Sequence, residues 1–260
     1  RILEKMGHRV VICTYHNGRD LPNLDIRRAM SIPGRREYAV GSSRHKIAFD
    51  LLLSLRTLQT MVQFRPHVIH AHLHEGALIG NMLSWLWGVP LVFDFQGSLT
   101  SEMIDHHFLS PDGFFYAPTR RMEELINYLS PHILTSSVHA MDLLVGEFGC
   151  SEIKITCVPD AVNLEMFAPL PRDEAWRQLK RAWNVPTDRT VVVYLGLLAE
   201  YQGTGHLLRA ARMLCERRHD LHFLIGGYPN VEHYRGLAQR LGIEGHVTFT
   251  NKVRYEDAPR

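Results

Sequence analysis

Long apolar runs are missing from these 260 residues: no stretch approaches the roughly 20 apolar residues that a membrane-spanning helix needs. An excess of charge of one sign is missing too. Lys and Arg total 29 against 27 Asp and Glu, a net charge of +2, so no nucleic-acid partner is expected. The four cysteines, Cys13, Cys150, Cys157 and Cys215, form no CxxC pair, which excludes zinc-ribbon and dithiol-redox motifs of that spacing. Cys13 and Cys157 sit in apolar strand-like runs, and reduced thiols are the expectation. No internal repeat or low-complexity tract stands out, and the opening residues do not read as a secretory leader. These absences favour a cytoplasmic location, at the inner face of a membrane as one option.

With 45% hydrophobic and 22% charged residues, the chain has an ordinary globular composition and is long enough for two domains of modest size. Its most informative stretch is VVVYLGLLAEYQG, Val191 to Gly203. It reads as a buried parallel strand that reaches glycine, turns, and opens a helix at Gly203. Free N–H groups and the helix dipole at such a point attract anions. A second apolar run, Leu221 to Ile225, ends in Gly226-Gly227 and is again followed by helical spacing. Two adjacent crevices of this kind suit a sugar nucleotide or a dinucleotide. The plainer alternative is that the glycines only close tight turns.

Strand-like runs fall at Arg9–Thr14, His67–His70, Leu91–Phe95, His132–Thr135, Lys154–Val158, Thr190–Leu195, Leu221–Ile225 and His246–Thr250. Helical spacing separates most of them. Over Lys46–Phe64, Leu51, Leu55, Leu58 and Val62 line one face, and Pro66 stops the helix. Such alternation predicts an α/β protein with parallel sheets covered by helices. The rhythm breaks where Pro159, Pro169, Pro171 and Pro186 surround one short charged helix. The expected division is therefore a domain over 1–165, a linker over 166–186 and a second domain over 187–260. The segment Asn17 to Arg44 reads as irregular and basic, with Arg27, Arg28, Arg35, Arg36 and Arg44. It suits a loop facing a phosphate or an anionic membrane surface, and equally a solvated loop. RILEKMGHRVVICTY opens as the end of a helix, a Gly7 cap and a strand, and the final FTNKVRYEDAPR stops soon after a strand. Both ends therefore read as cut.

His70, His72 and His74, followed by Glu75, read HAHLHEG at the end of a strand. If the strand continued, alternation would set all three on one face as a metal grip. No second cluster at ligand spacing completes the shell, so no metal is expected. The better reading is that polar residues at the C-terminal end of a strand shape a substrate site. Asp105-His106-His107 is a weaker metal candidate, read as a loop on the acceptor side. Trp85, Trp87, Trp176 and Trp183 read as helix packing or surface aromatics.

Taken as a set, the motifs resemble the retaining GT-B fold glycosyltransferases of family GT4. The family's "P-N-G-V-D-x-x-x-F-x-P" segment, which ends its first domain, stands here as Pro159, Asp160, Ala161, Val162, Asn163, Phe167 and Pro169. Its "G-R-L-x-x-x-K-G" stands as Gly196, Leu197, Leu198, Gln202 and Gly203. Gly226-Gly227, Thr248-Phe249 and HILTSSVHAMDLL also match. The resemblance covers essentially the whole chain. It implies two Rossmann-like, doubly wound domains, with the second incomplete. A nucleoside-diphosphate sugar would be held on the second domain by Gly196, Gln202, Gly203 and Gly227. An acceptor of unspecified identity, a lipid-linked one among the options, would lie against His72, His74, Gln96 and Gly97 of the first. Catalytic residues stay unassigned, with His72 and Gln96 as weak candidates. The implied cofactor is none, the sugar nucleotide being a co-substrate, and peripheral membrane contact is an option.

Three departures qualify the resemblance. The Arg and Lys that hold the donor diphosphate fall on Leu197 and Gln202, removing two charge-assisted contacts. The family's His after the Leu91–Phe95 strand is replaced by Gln96, which hydrogen-bonds but does not titrate near neutrality. The family's glycine loop and glutamate pair fall outside these residues, so this stretch alone is expected to be inactive. The expected activity is retaining sugar transfer in glycan, glycolipid or cell-surface polysaccharide synthesis. The rival readings are a GT-B sugar-nucleotide epimerase and a non-catalytic sugar-nucleotide binder.

Overall fold

A computed structural model describes residues 2–18, 20–31, 46–168, 171–186 and 188–259. Arg35, Arg36 and Arg44 of the basic segment, Pro169 of the linker and the Trp176 side chain lie outside the described residues. The chain divides into two compact units, Arg1–Asp160 and Ala161–Arg260.

Unit 1 runs α1 (Ile2–Lys5), β1 (Val11–Thr14), β2 (Asp25–Arg28), α2 (Lys46–Phe64), β3 (Ile69–His72), α3 (Leu73–Trp87), β4 (Leu91–Phe95), α4 (Leu99–Asp105), α5 (Tyr116–Leu129), β5 (His132–Thr135), α6 (Val138–Gly146) and β6 (Ile155–Cys157). All its strands pair in parallel, β1 with β2 and β3-β4-β5-β6 as a four-stranded sheet. Strand β4 shows why. In LVFDF, Leu91, Phe93 and Phe95 are fully buried, and Val92 and Asp94 alternate with them toward the other face. The inward set packs with Ala77, Ile126, Ile133 and Leu144 in one core. Burying each Phe stabilises the fold by about 1.5–3 kcal/mol.

One expectation needs correction here and a second needs completing. Asp25–Arg28, read as irregular, is a strand, because β1 offers an open edge and the register Val11↔Asp25 to Thr14↔Arg28 closes a second pair. Its arginines are engaged within the unit. Arg27 bonds Asp25 and Gln63, while Arg28 bonds Asp20 and the carbonyls of Tyr15 and Asn17. They do not form a free basic face. Helix α2 has the expected bounds, yet Leu51, Leu55, Leu58 and Val62 are its exposed stripe. Phe49, Leu53 and Met61 turn inward, the latter two packing with Ala29, Ile79 and Leu83. Both faces of this helix carry leucine, so periodicity alone does not choose between them. A cavity of about 340 Å³ lies between Met61, Val62, Arg65, Pro66, Trp87 and Val89, at the end of β4 opposite Gln96.

Unit 2 runs α7 (Arg172–Trp183), β7 (Thr190–Leu197), α8 (Thr204–Cys215), β8 (Leu221–Tyr228), α9 (Val231–Arg240) and β9 (Val247–Asn251). The strands form a parallel sheet in the order β7-β8-β9. Central β8 is buried from Leu221 to Gly227. β7, expected to be buried, is a sheet edge: Tyr194 packs against the core, whereas Val193 and Leu195 are exposed. The four cysteines are free thiols. Among the described residues, no helix is long and apolar enough to cross a membrane.

Candidate functional site: a glycine crevice and an uncapped helix start

Gly196 and Gly227 are register partners across β7 and β8. Gly227 has φ +157°, and a Cβ there would fall inside the van der Waals envelope of the Gly196 carbonyl oxygen. Only glycine lets the two strands approach so closely. Beyond this pair the chains stay tied: Leu198 N–H donates to Tyr228 O at 3.1 Å, and Asn230 Nδ2 donates to Leu198 O at 3.1 Å. After β7 the chain turns through Gln202 and Gly203, with Gly203 N–H donating to Glu200 O at 2.9 Å.

Gly203 is the N-cap of α8, with φ +74° and no side-chain cap. A Cβ at Gly203 would meet nothing within 4 Å. The left-handed backbone, not crowding, is what calls for glycine here. Gly196, expected in the turn, instead lies inside β7. The structure thus makes Gly196 and Gly227 neighbours and sets Gln202 and Gly203 in the turn leaving the same strand end.

Leu197 ends β7 and gives the crevice no charge. Cations that the sequence reading did not name lie nearby. Lys252, just past β9, holds Nζ 4.6 Å from the ring centroid of Tyr228, the residue after Gly227. Arg209 and Glu200 flank the first turn of α8, each within 4 Å of where a Gly205 Cβ would stand. No local motif marks Lys252, because only the β8–β9 pairing Gly226↔Asn251 brings it to this edge.

Unit 1 has its own turn into a helix, at Gln96-Gly97-Ser98, and here the helix start is already filled. Glu123, on α5 and fully buried, accepts from Leu99 N–H at 2.7 Å, Thr100 N–H at 3.1 Å and Thr100 Oγ1 at 2.6 Å. Ser98 Oγ accepts from Ser101 N–H at 3.2 Å. A carboxylate and a hydroxyl therefore satisfy the first amides of α4, leaving little for an anionic ligand. Gln96 and Gly97 remain exposed at the strand end, and Gln96 Nε2 donates to Asp94 Oδ2 at 3.3 Å.

The three histidines separate. His70 and His72 point to one face of β3, but the strand ends at His72 and Leu73 turns with φ +61°. That turn carries His74 into the core, edge-on to Phe93 and Phe95 at 5.3 and 5.5 Å and 3.7 Å from Glu123. His74 is a packing residue, and its acceptor-side assignment is withdrawn. Burial, and then His72, lower the pKa of the His70 imidazole. Asp105-His106-His107 forms no ligand cluster among the described residues.

Parallel sheets wound with helices in both units, with a glycine crevice at the strand ends of the second, are the build of GT-B fold glycosyltransferases. The chain belongs to family GT4. Residues 1–161 match the family described as "Glycosyl transferase 4-like domain", and residues 177–260 match "Glycosyl transferases group 1". A D-inositol 3-phosphate glycosyltransferase of Corynebacterium diphtheriae is 26% identical over 194 residues, 71% of this chain and 44% of its own length. The chain spans about half the length of the curated relatives it matches. Sucrose-phosphate synthase from Thermosynechococcus elongatus shares the fold with a TM-score of 0.72 at 16% identity, over 98% of this chain and 63% of that one. Anabaena Alr3699/HepE, solved in complex with UDP-glucose, superposes with a TM-score of 0.61 at 18% identity, over 84% and 55% of the two chains.

Proposed function

We propose that the protein is a retaining glycosyltransferase that moves a sugar from a nucleoside-diphosphate sugar to a hydroxyl acceptor. The observation that carries this reading is the contrast between the two helix starts. Glu123 occupies that of α4, whereas that of α8 has no side-chain cap and follows the Gly196–Gly227 crevice. A diphosphate over α8 meets backbone N–H groups and the positive end of the helix dipole. As the glycosidic bond to the nucleotide breaks, negative charge grows on the departing diphosphate. Donors already in place stabilise that charge without reorganising. Gln202 supplies a neutral donor, and Lys252 and Arg209 are the nearby cations. The acceptor is assigned to the strand ends of unit 1, at His72, Gln96 and Gly97.

A second reading, a member that binds a sugar nucleotide without turnover, is favoured by Leu197 and Gln202 standing where the family has Arg and Lys. One experiment, run on the chain extended to carry the family's glycine loop and glutamate pair, separates the two. Calorimetry with UDP-glucose, the ligand of the Anabaena protein, is followed by a labelled-sugar transfer assay. D-inositol 3-phosphate, for which the Corynebacterium diphtheriae relative is named, is the first acceptor to try. Binding is expected, weakened about tenfold by Gly203→Val, because a β-branched residue at φ +74° costs about 1–2 kcal/mol and reshapes the turn. Transfer establishes the enzyme, binding without transfer to any acceptor establishes the binder, and no nucleotide-sugar binding refutes both.

A further inference from the structure

The sequence alone offers His70, His72 and His74 as a metal grip; His74 turns into the core, and the β3–β4 register supplies another third partner. His72 pairs with Asp94 across the strands, and Asp94 lies on the same sheet face as the two histidines. The rings of His70 and His72 stack with centroids 4.5 Å apart and planes inclined at 25°. His72 Nδ1 lies 2.7 Å from Asp94 Oδ2. One donor atom from each of the three residues falls within 4.8 Å of the other two, and among the described residues this is the one group of three or more that does so. We propose that His70, His72 and Asp94 form a binding site for a divalent transition-metal ion of the cobalt-to-zinc series.

The chemistry of the set favours that class. Two imidazoles and one carboxylate suit zinc, cobalt and nickel, whereas magnesium and calcium select sites built wholly of oxygen. Three protein ligands leave at least one position for water. Metal–nitrogen bonds of about 2.0–2.1 Å require the donors to draw together from their present spacing. Both histidines are exposed, so neither ring is locked in the core. Gln96 Nε2 donates to Asp94 Oδ2 at 3.3 Å and orients the carboxylate from outside the ligand set. The site does not depend on the transferase reading, since binding is read from the protein alone.

The test is a titration of the metal-stripped chain with Co²⁺, followed by its visible ligand-field bands, and with Zn²⁺ and Mg²⁺ by calorimetry. The expected result is one tight equivalent of Co²⁺, displaced by Zn²⁺, at a Kd of about 1–10 µM for an exposed three-ligand site, with no response to Mg²⁺. His70→Gln and Asp94→Asn each weaken binding tenfold or more, His70→Gln/His72→Gln abolishes it, and His206→Gln in unit 2 leaves it unchanged. Both histidines in the double variant are exposed, and circular dichroism checks that it stays folded. Absence of Co²⁺ bands in the parent chain overturns the site. So does one tight equivalent that persists in the double variant, since it places the ion on other histidines of the sixteen in the chain.

Discussion

Replacing Gly227 with Ala tests the close approach at the heart of unit 2. The added Cβ would collide with the Gly196 carbonyl oxygen, and it would also lie 3.1 Å from Leu198 Cδ2. The first obstacle is backbone of the paired strand and not the tip of a flexible side chain, so β7 and β8 have to part. Forcing a methyl into a packed site costs about 1–3 kcal/mol, and a non-glycine residue at φ +157° costs a further ~1–3 kcal/mol. A sum near 4 kcal/mol is a large part of the ~5–15 kcal/mol that holds a domain together. For a unit of this size it lowers Tm by roughly 15–30 °C. Gly226→Ala is the internal comparison, because its Cβ would meet the side-chain atoms Leu195 Cδ1, Thr250 Oγ1 and Val253 Cγ2 at 2.9–3.1 Å, which can shift. Gly245→Ala, with nothing within 4 Å, is the neutral control. Calorimetric melting combined with hydrogen exchange over residues 221–228 reads all three. The expected order of damage is Gly227, then Gly226, then Gly245. A Gly227→Ala protein melting within 2 °C of the parent, a shift worth only about 0.5 kcal/mol, would refute the close-approach argument.

Three further outcomes are expected. His222 is buried, with Nε2 2.9 Å from Thr248 Oγ1, and its pKa is lowered first by burial and then by Arg189 and His246. The unfolded chain therefore binds this proton more readily, and unit 2 loses stability as pH falls below about 6.5. Urea midpoints at pH 7.5 and 5.5 measure the loss, and an equal loss in His222→Asn refutes the assignment. Glu123→Gln sets an NH₂ group against the Leu99 and Thr100 amides. It should cost unit 1 about 2–3 kcal/mol and speed exchange over residues 98–105, whereas unchanged protection there contradicts the tethering role. Lys252→Ala should weaken nucleotide-sugar binding about tenfold and flatten its salt dependence, and unaltered affinity removes Lys252 from the site.

Much of the architecture was legible because period-2 and period-3.6 patterns report burial directly. Leu91–Phe95 and His132–Thr135 were placed to the residue, and helix α2 to both its ends. Strand β2 was not legible, since DIRR has no apolar run and becomes a strand only because β1 accepts it. The stripe of Leu51, Leu55, Leu58 and Val62 was legible as one face of α2, but its outward direction was not, because a helix leucine-rich on both sides carries two competing stripes. At the site, the glycines announced themselves, since a strand ending in glycine before a helix is a local pattern. Lys252, Asp94 and Glu123 did not. Each reaches its place through pairing or packing between segments distant in sequence, a relation that residue spacing does not encode. His74 was misplaced because alternation was carried one turn past the end of β3.

The Glu123 tether makes two distant stretches of chain a single unit of inheritance. The loop from Gln96 to Asp105 looks like a portable part, exposed at its tip and bounded by a strand and a short helix. Moved into a relative's scaffold without its own α5, it arrives with the Leu99 and Thr100 amides unsatisfied. A foreign loop set into this scaffold leaves behind a fully buried carboxylate with no donors. This loop is therefore not exchangeable by swapping it alone. Grafts or recombination points that carry residues 96–123 as one piece should fold, and those that cut between Asp105 and Glu123 should yield insoluble chains.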